Sequence, residues 1–163
     1  MWYAAYTSAK AEKKVARELT RLGIDHYLPL VSTIRQWSDR KKKVEIPLIS
    51  SYIFVHITPK EHLPVLQVSG VANIVHFCGK PVPIPDWQIE NLKIVLGSAV
   101  KVTREIRQFE KGEEVRIMRG SLVGLRGKIL HIKGKHKLVM SIDALEYNLT
   151  IDIDPLFVEP VKD

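Results

Sequence analysis

Hydrophobic and polar positions in the first half of the chain follow two periods. Residues 2–7, Trp2-Tyr-Ala-Ala-Tyr-Thr7, form a short aromatic run that predicts an opening strand. A helix is predicted over 9–22, capped by Ser8 and stopped by Gly23. At about 100° per residue, Ala11, Val15, Leu19 and Leu22 fall within about 80° of one another and make a core stripe. Two further strands, at 24–32 and 44–50, are expected to be joined by a long hairpin, with Pro29 and Pro47 marking edges or irregularities. The run Tyr52-Ile-Phe-Val-His-Ile57 alternates with period two, sending Ile53, Val55 and Ile57 to one face and Tyr52, Phe54 and His56 to the other. The β-branched face is expected to lie on the helices. The aromatic face is expected to be bare and to mark a partner site, the alternative being cover from a second domain or from the long hairpin.

A short helix or turn over 61–68, a strand over 72–78 and a turn rich in proline (Pro81, Pro83, Pro85) come next. Asp86 can cap a last helix that ends at Gly97 and buries Ile89, Leu92 and Leu96. This order predicts an α+β domain with a mostly antiparallel sheet over 1–97. Residues 98–111 are polar without an apolar face and read as a linker. Beyond them, five β-rich runs at 114–118, 128–133, 137–142, 148–153 and 156–159 are separated by turn residues, which predicts a small five-stranded β-barrel over 112–163.

Charge adds a partner to this outline. The 163 residues carry 25 Lys and Arg against 18 Asp and Glu, a net charge of +7, which favours a polyanionic partner. Residues 1–97 hold 13 basic and 8 acidic side chains, and residues 111–163 hold 9 and 8, so the excess lies in the first domain. Lys10, Lys14, Arg17 and Arg21 share a sector about 60° wide on the first helix, either a solvated face or a contact for a phosphate backbone. Arg35, Arg40, Lys41, Lys42 and Lys43 cluster at the hairpin tip, where five cations are either a solubilising loop or a nucleic-acid contact. Trp37 inside that cluster can stack on a base or fold back under the hairpin. The near-even balance of the barrel points to a protein partner rather than to nucleic acid.

Enzyme chemistry has no foothold. The six histidines are scattered without metal-ligand spacing, and His131 and His136 are five apart across a turn. No phosphate-binding glycine loop, nucleophile elbow or dinucleotide fingerprint occurs, so no catalytic residue, metal site or cofactor is expected. Cys78, the single cysteine, precludes an internal disulfide and reads as a small buried hydrophobe. With no secretion signal and no apolar run of about 18 residues, the expectation is a cytoplasmic monomer that avoids membranes.

The Trp-Tyr opening strand, the basic helix, the Pro-Leu-x-x-x-Tyr-x-Phe-Val run from Pro47 to Val55 and a glycine-rich β end closely resemble the NusG family of transcription elongation factors. In that family an NGN domain is joined to a KOW domain. The KOW likeness lies in Val115-x-Ile117-x-x-Gly120-x-x-x-Gly124-x-x-Gly127-x-Ile129. The resemblance implies that the first domain sits on the clamp helices of RNA polymerase through an apolar, aromatic surface. Tyr52 and Phe54, Tyr6 and, more loosely, Ile49 stand at the matching positions. It also implies a side facing non-template or upstream DNA, matched by Lys10, Lys14, Arg17 and Arg21, with Trp2 beside them. Two departures stand out. The common Phe-Pro-Gly before the tyrosine is Ile49-Ser50-Ser51 here, and the common Gly-Pro-Phe of the barrel is Gly120-Ser121-Leu122. The second touches the loop through which housekeeping members bind Rho or the ribosomal protein NusE. A divergent, basic version of this compact architecture resembles the specialised paralogues such as RfaH, antiterminators of long polysaccharide-synthesis operons, and that reading is favoured over the housekeeping factor. The alternatives are a housekeeping elongation factor recruiting Rho or NusE, and a KOW-type RNA-binding or ribosome-associated protein.

Overall fold

A computed structural model describes residues 1–105, 112–132 and 135–161. The chain divides into two units, Met1–Pro83 and Ile84–Asp163.

The first unit contains β1 (Trp2–Thr7), α1 (Glu12–Arg21), β2 (His26–Tyr27), β3 (Leu30–Gln36), β4 (Lys41–Pro47), β5 (Tyr52–His56), α2 (His62–Leu66), β6 (Val71–Ile74), β7 (His76–Phe77) and β8 (Lys80–Pro81). Four strands form a sheet in the order β2-β5-β1-β6, and β3-β4 and β7-β8 are separate two-stranded ladders. Tyr3, Ala5, Ile53, Val55 and Ile74 present one sheet face to Val15 and Leu19 of α1, all of them buried. Each buried Val, Leu and Ile side chain here contributes about 1.5–3 kcal/mol, so this layer holds the unit together.

Helix α1 begins at Glu12, three residues later than the sequence predicts, and no side chain caps it. Lys10 takes φ 62°, a left-handed conformation that no α-helix can include, so the preceding residues form a turn. Ser8 serves that turn through its backbone, its carbonyl accepting from the Ala11 N–H at 3.0 Å. At the other end Gly23, with φ 69°, closes a Schellman motif: its N–H donates to the Thr20 carbonyl and the Ile24 N–H to the Leu19 carbonyl. The chain therefore turns before Leu22 can reach the core. Leu22 is exposed, and Ile24 is buried in its place.

The hairpin also differs from expectation. Four of the five clustered cations, Arg35, Lys41, Lys42 and Lys43, lie within the β3–β4 ladder rather than in a long loop, and only Trp37 to Arg40 form the tip, closed by a 2.8 Å bond from the Trp37 N–H to the Arg40 carbonyl. Cys78 is exposed rather than buried, because it occupies a left-handed position (φ 49°) in the tight β7–β8 turn.

The second unit contains α3 (Asp86–Gly97), β9 (Thr103–Glu105), β10 (Glu113–Ile117), β11 (Arg126–Ile132), β12 (Lys135–Ile142), β13 (Tyr147–Asp152) and β14 (Val158–Pro160). The strands form a six-stranded sheet in the order β14-β10-β11-β12-β13-β9, every pairing antiparallel. The sequence predicts five strands closed into a barrel. The structure adds β9, drawn from the segment expected to be a linker, and no bond joins β14 to β9 among the described residues. Residues 106–111 of that linker lie outside the described residues. Gly127 leaves no room for a side chain against β12; a Cβ there would meet the Val139 carbonyl oxygen at 2.3 Å.

Helix α3, which the sequence pattern assigns to the first domain, belongs to this unit. Ile89, Leu92 and Val95 are buried as a stripe, while Leu96 is only half-buried. Two amides share the buried side. Asn91 donates to the Arg126 carbonyl at 2.6 Å and accepts from the Arg126 N–H at 3.0 Å. Gln88 donates to the Asp143 carboxylate at 2.8 Å and accepts from the Asp143 N–H at 3.3 Å. Buried amides persist because every polar group is answered, and here each answers one strand or turn of the sheet.

Candidate docking and nucleic-acid interfaces

The aromatic face of β5 is built as its alternation dictates. Antiparallel register places Tyr52 opposite Tyr6, Phe54 opposite Ala4 and His56 opposite Trp2. The two tyrosine rings meet edge to face with centroids 5.3 Å apart, and Trp2 stacks on His56 at 4.9 Å. The expectation that the whole face is bare is corrected. Phe54 is fully buried, Ile49 is 4% exposed and Trp2 7%. Alternation assigns a side chain to a face and is silent about what packs over it. Access survives at the Tyr6–Tyr52 end, where Tyr6 is 45% exposed and Tyr52 half-buried.

The cations divide into three groups. Lys14 and Arg17 are exposed on α1, and Lys10 is exposed in the turn before it. Arg21 is not free: its guanidinium pairs with Glu18 at 3.0 Å, so the row of four is interrupted by a carboxylate three residues back. On the hairpin, Arg35 faces Lys42, while Lys41 and Lys43 face Gln36 and Ile34. No carboxylate lies within ion-pair distance of Arg35, Arg40, Lys41, Lys42 or Lys43 among the described residues. Trp37 stands at the tip, 58% exposed.

Lys13, which charge patterning alone did not single out, connects helix and hairpin. Its ammonium donates to the Glu45 carbonyl at 2.7 Å, and an open groove is lined by Lys13, Ser32, Lys43, Val44 and Glu45. Its position beside Lys14 in the sequence was the available signal. The hairpin cations thus stand beside a basic helix, with no ion-pair partner among the described residues.

In the second unit, apolar side chains are exposed at one end of the sheet. The Met118 N–H donates to the Phe157 carbonyl at 2.8 Å, and Met118, Phe157 and Leu156 are 46%, 43% and 84% exposed. Leu122, in the departing Gly120-Ser121-Leu122 run, is buried. His131 and His136 are direct cross-strand partners, and no group of three or more metal-ligating side chains occurs among the described residues. None of the described helices is long and apolar enough to cross a membrane.

An α+β domain with a tyrosine pair on its two central strands and a basic hairpin, followed by a β-rich unit, defines the class of two-part α+β proteins to which the chain belongs. The family model described as transcription termination factor nusG matches residues 1–93, and the chain belongs to the NusG family. It is 25% identical over 153 residues to the transcription termination/antitermination protein NusG of Rickettsia typhi, covering 86% of this chain and 80% of that one. It is 23% identical over 155 residues to the NusG of Chlamydia trachomatis, covering 86% and 85%. A solved structure of Thermotoga maritima NusG aligns over 99% of this chain and 97% of that one, at 23% identity and a TM-score of 0.49. The protein is accordingly a transcription termination/antitermination factor of the NusG type, with an NGN domain leading into a β-rich second unit.

Proposed function

We propose that the first unit docks on the clamp helices of RNA polymerase through the Tyr6–Tyr52 pair, while the β3–β4 hairpin and α1 hold the non-template strand or upstream duplex. The observation that carries this reading is a partly exposed aromatic pair, fixed by cross-strand register, on a domain whose hairpin cations have no ion-pair partner among the described residues. Binding preferentially to the closed clamp would disfavour the opening that pausing requires, whereas a factor blind to clamp state would shift nothing. Elongation past pause sites follows from that preference alone. The test is a transcription assay at a defined pause: the chain shortens the pause, and the Tyr6→Ala, Tyr52→Ala double variant does not. Unchanged pause shortening by the variant contradicts the reading.

The departures Ile49-Ser50-Ser51 and Gly120-Ser121-Leu122 favour a specialised antiterminator acting in the cytoplasm on a long polysaccharide-synthesis operon. The apolar end at Met118, Leu156 and Phe157 favours a protein partner for the second unit, and Rho and NusE are the two to try. Co-purification with Rho would support the housekeeping role. Its absence, together with a polysaccharide operon downstream of the gene, would support the specialised one.

A further inference from the structure

Glu12 is a buried carboxylate that the proposed docking and DNA contacts leave unused. It opens α1, is 5% exposed, and could be taken as a charge placed at a helix N-terminus. Its hydrogen bond points elsewhere: Oε1 accepts from the backbone N–H of Ser51 at 2.7 Å. Ser51 has φ 63°, a left-handed conformation that residues with a side chain adopt only when their surroundings impose it. Its carbonyl is held as well, accepting from the Thr7 N–H at 2.8 Å. Ser51 immediately precedes Tyr52, and Thr7 immediately follows Tyr6. The two bonds therefore fasten the turn that sets the Tyr6–Tyr52 ring contact.

We infer that Glu12 is the positioning residue of the docking pair: its carboxylate holds Ser51 left-handed and so aims Tyr52 at the polymerase. The functional half of this inference rests on the docking reading above; the structural half does not. A Gln side chain keeps an acceptor oxygen in place and loses only the charge, whereas Ala removes the acceptor. A glycine at position 51 adopts the left-handed turn without strain and removes the need for a clasp.

The experiment uses the full chain in four forms, wild type, Glu12→Ala, Glu12→Gln and Glu12→Ala with Ser51→Gly, each checked for intact folding by circular dichroism. Solution NMR reads the Tyr6–Tyr52 ring contact and the exchange of the Ser51 amide, and affinity for core RNA polymerase is measured alongside Tyr52→Ala. Glu12→Ala should loosen the ring contact, speed Ser51 exchange and weaken polymerase binding about tenfold, the scale of removing one charged hydrogen bond. Glu12→Gln and the Ser51→Gly double variant should restore the ring contact and return affinity to within about twofold of wild type. An intact ring contact in Glu12→Ala overturns the inference. So does a Ser51→Gly double variant that stays as weak as Glu12→Ala, because the defect then lies in the helix. If Tyr52→Ala binds normally, the docking reading fails, and the structural half is decided by the NMR readout.

Discussion

Arg35 and Lys42 face each other directly across the β3–β4 ladder, and no carboxylate answers either cation among the described residues. Like charges opposed in this way destabilise a strand pair by about 0.2–1 kcal/mol. The ladder therefore holds a cost in the free chain that a bound polyanion would relieve. Lys42→Thr should raise the stability of the free protein by that amount, read as a shift in the urea midpoint. It should also weaken DNA crosslinking and lower the salt slope by about 0.7–0.9 for each phosphate that is no longer neutralised. Stability and DNA crosslinking moving in the same direction would mean the pair has a structural role instead.

Phe54 and Tyr52 lie two residues apart on one face and call for different experiments. Phe54 is fully buried, so Phe54→Ala should destabilise the protein by about 3–5 kcal/mol in chemical denaturation. Any loss of polymerase binding by that variant would report unfolding. Tyr52 is half-buried, and Tyr52→Ala should change the denaturation midpoint far less.

Much of this fold was legible because strand alternation and helix periodicity are local. Ile53 and Val55 reach the core, and Tyr52 and Phe54 share the opposite face, as period two requires. What was not legible depends on neighbours distant in sequence. Nothing near Phe54 announces that it is covered, and nothing in the α3 pattern announces that Gln88 and Asn91 turn inward to meet Asp143 and Arg126. The charged segment at 98–111 hid β9 because an edge strand needs only backbone partners. The hairpin cations are legible as a cluster between two strands, but the pattern places all five at the tip, and the structure continues the ladder through Arg35, Lys41, Lys42 and Lys43. Cys78 and Lys10 depart from the pattern for one shared reason, a left-handed turn that their side chains do not advertise.

Asn91→Ala should destabilise the second unit by about 1–3 kcal/mol, since it leaves the Arg126 N–H and carbonyl without partners in a buried setting. Hydrogen exchange checks this directly, with the Arg126 amide losing protection. Asn91→Asp should be at least as damaging, because a carboxylate cannot donate to the Arg126 carbonyl.

Glu61 closes a capping box with Thr58, accepting from its N–H and its hydroxyl at 2.8 Å each. The backbone bond from Thr58, followed by the hydroxyl bond, holds this carboxyl below its ordinary value of 4.5. A depressed folded-state value means the contribution is complete above the unfolded carboxylate range and is lost as pH falls through the folded value. NMR titration of the Glu61 carboxyl should give a midpoint below that of glutamate in an unstructured peptide. Thr58→Ala should return it towards that value.

The Tyr6–Tyr52 pair, on this account, anchors the NusG-family chain to RNA polymerase. Equilibrium binding of purified chain to cognate core polymerase, comparing wild type with the folded Tyr6→Ala, Tyr52→Ala double variant, tests this most directly. The account predicts a loss of about 1–3 kcal/mol, at least fivefold in Kd, as truncated interface anchors give. An unchanged Kd would contradict it.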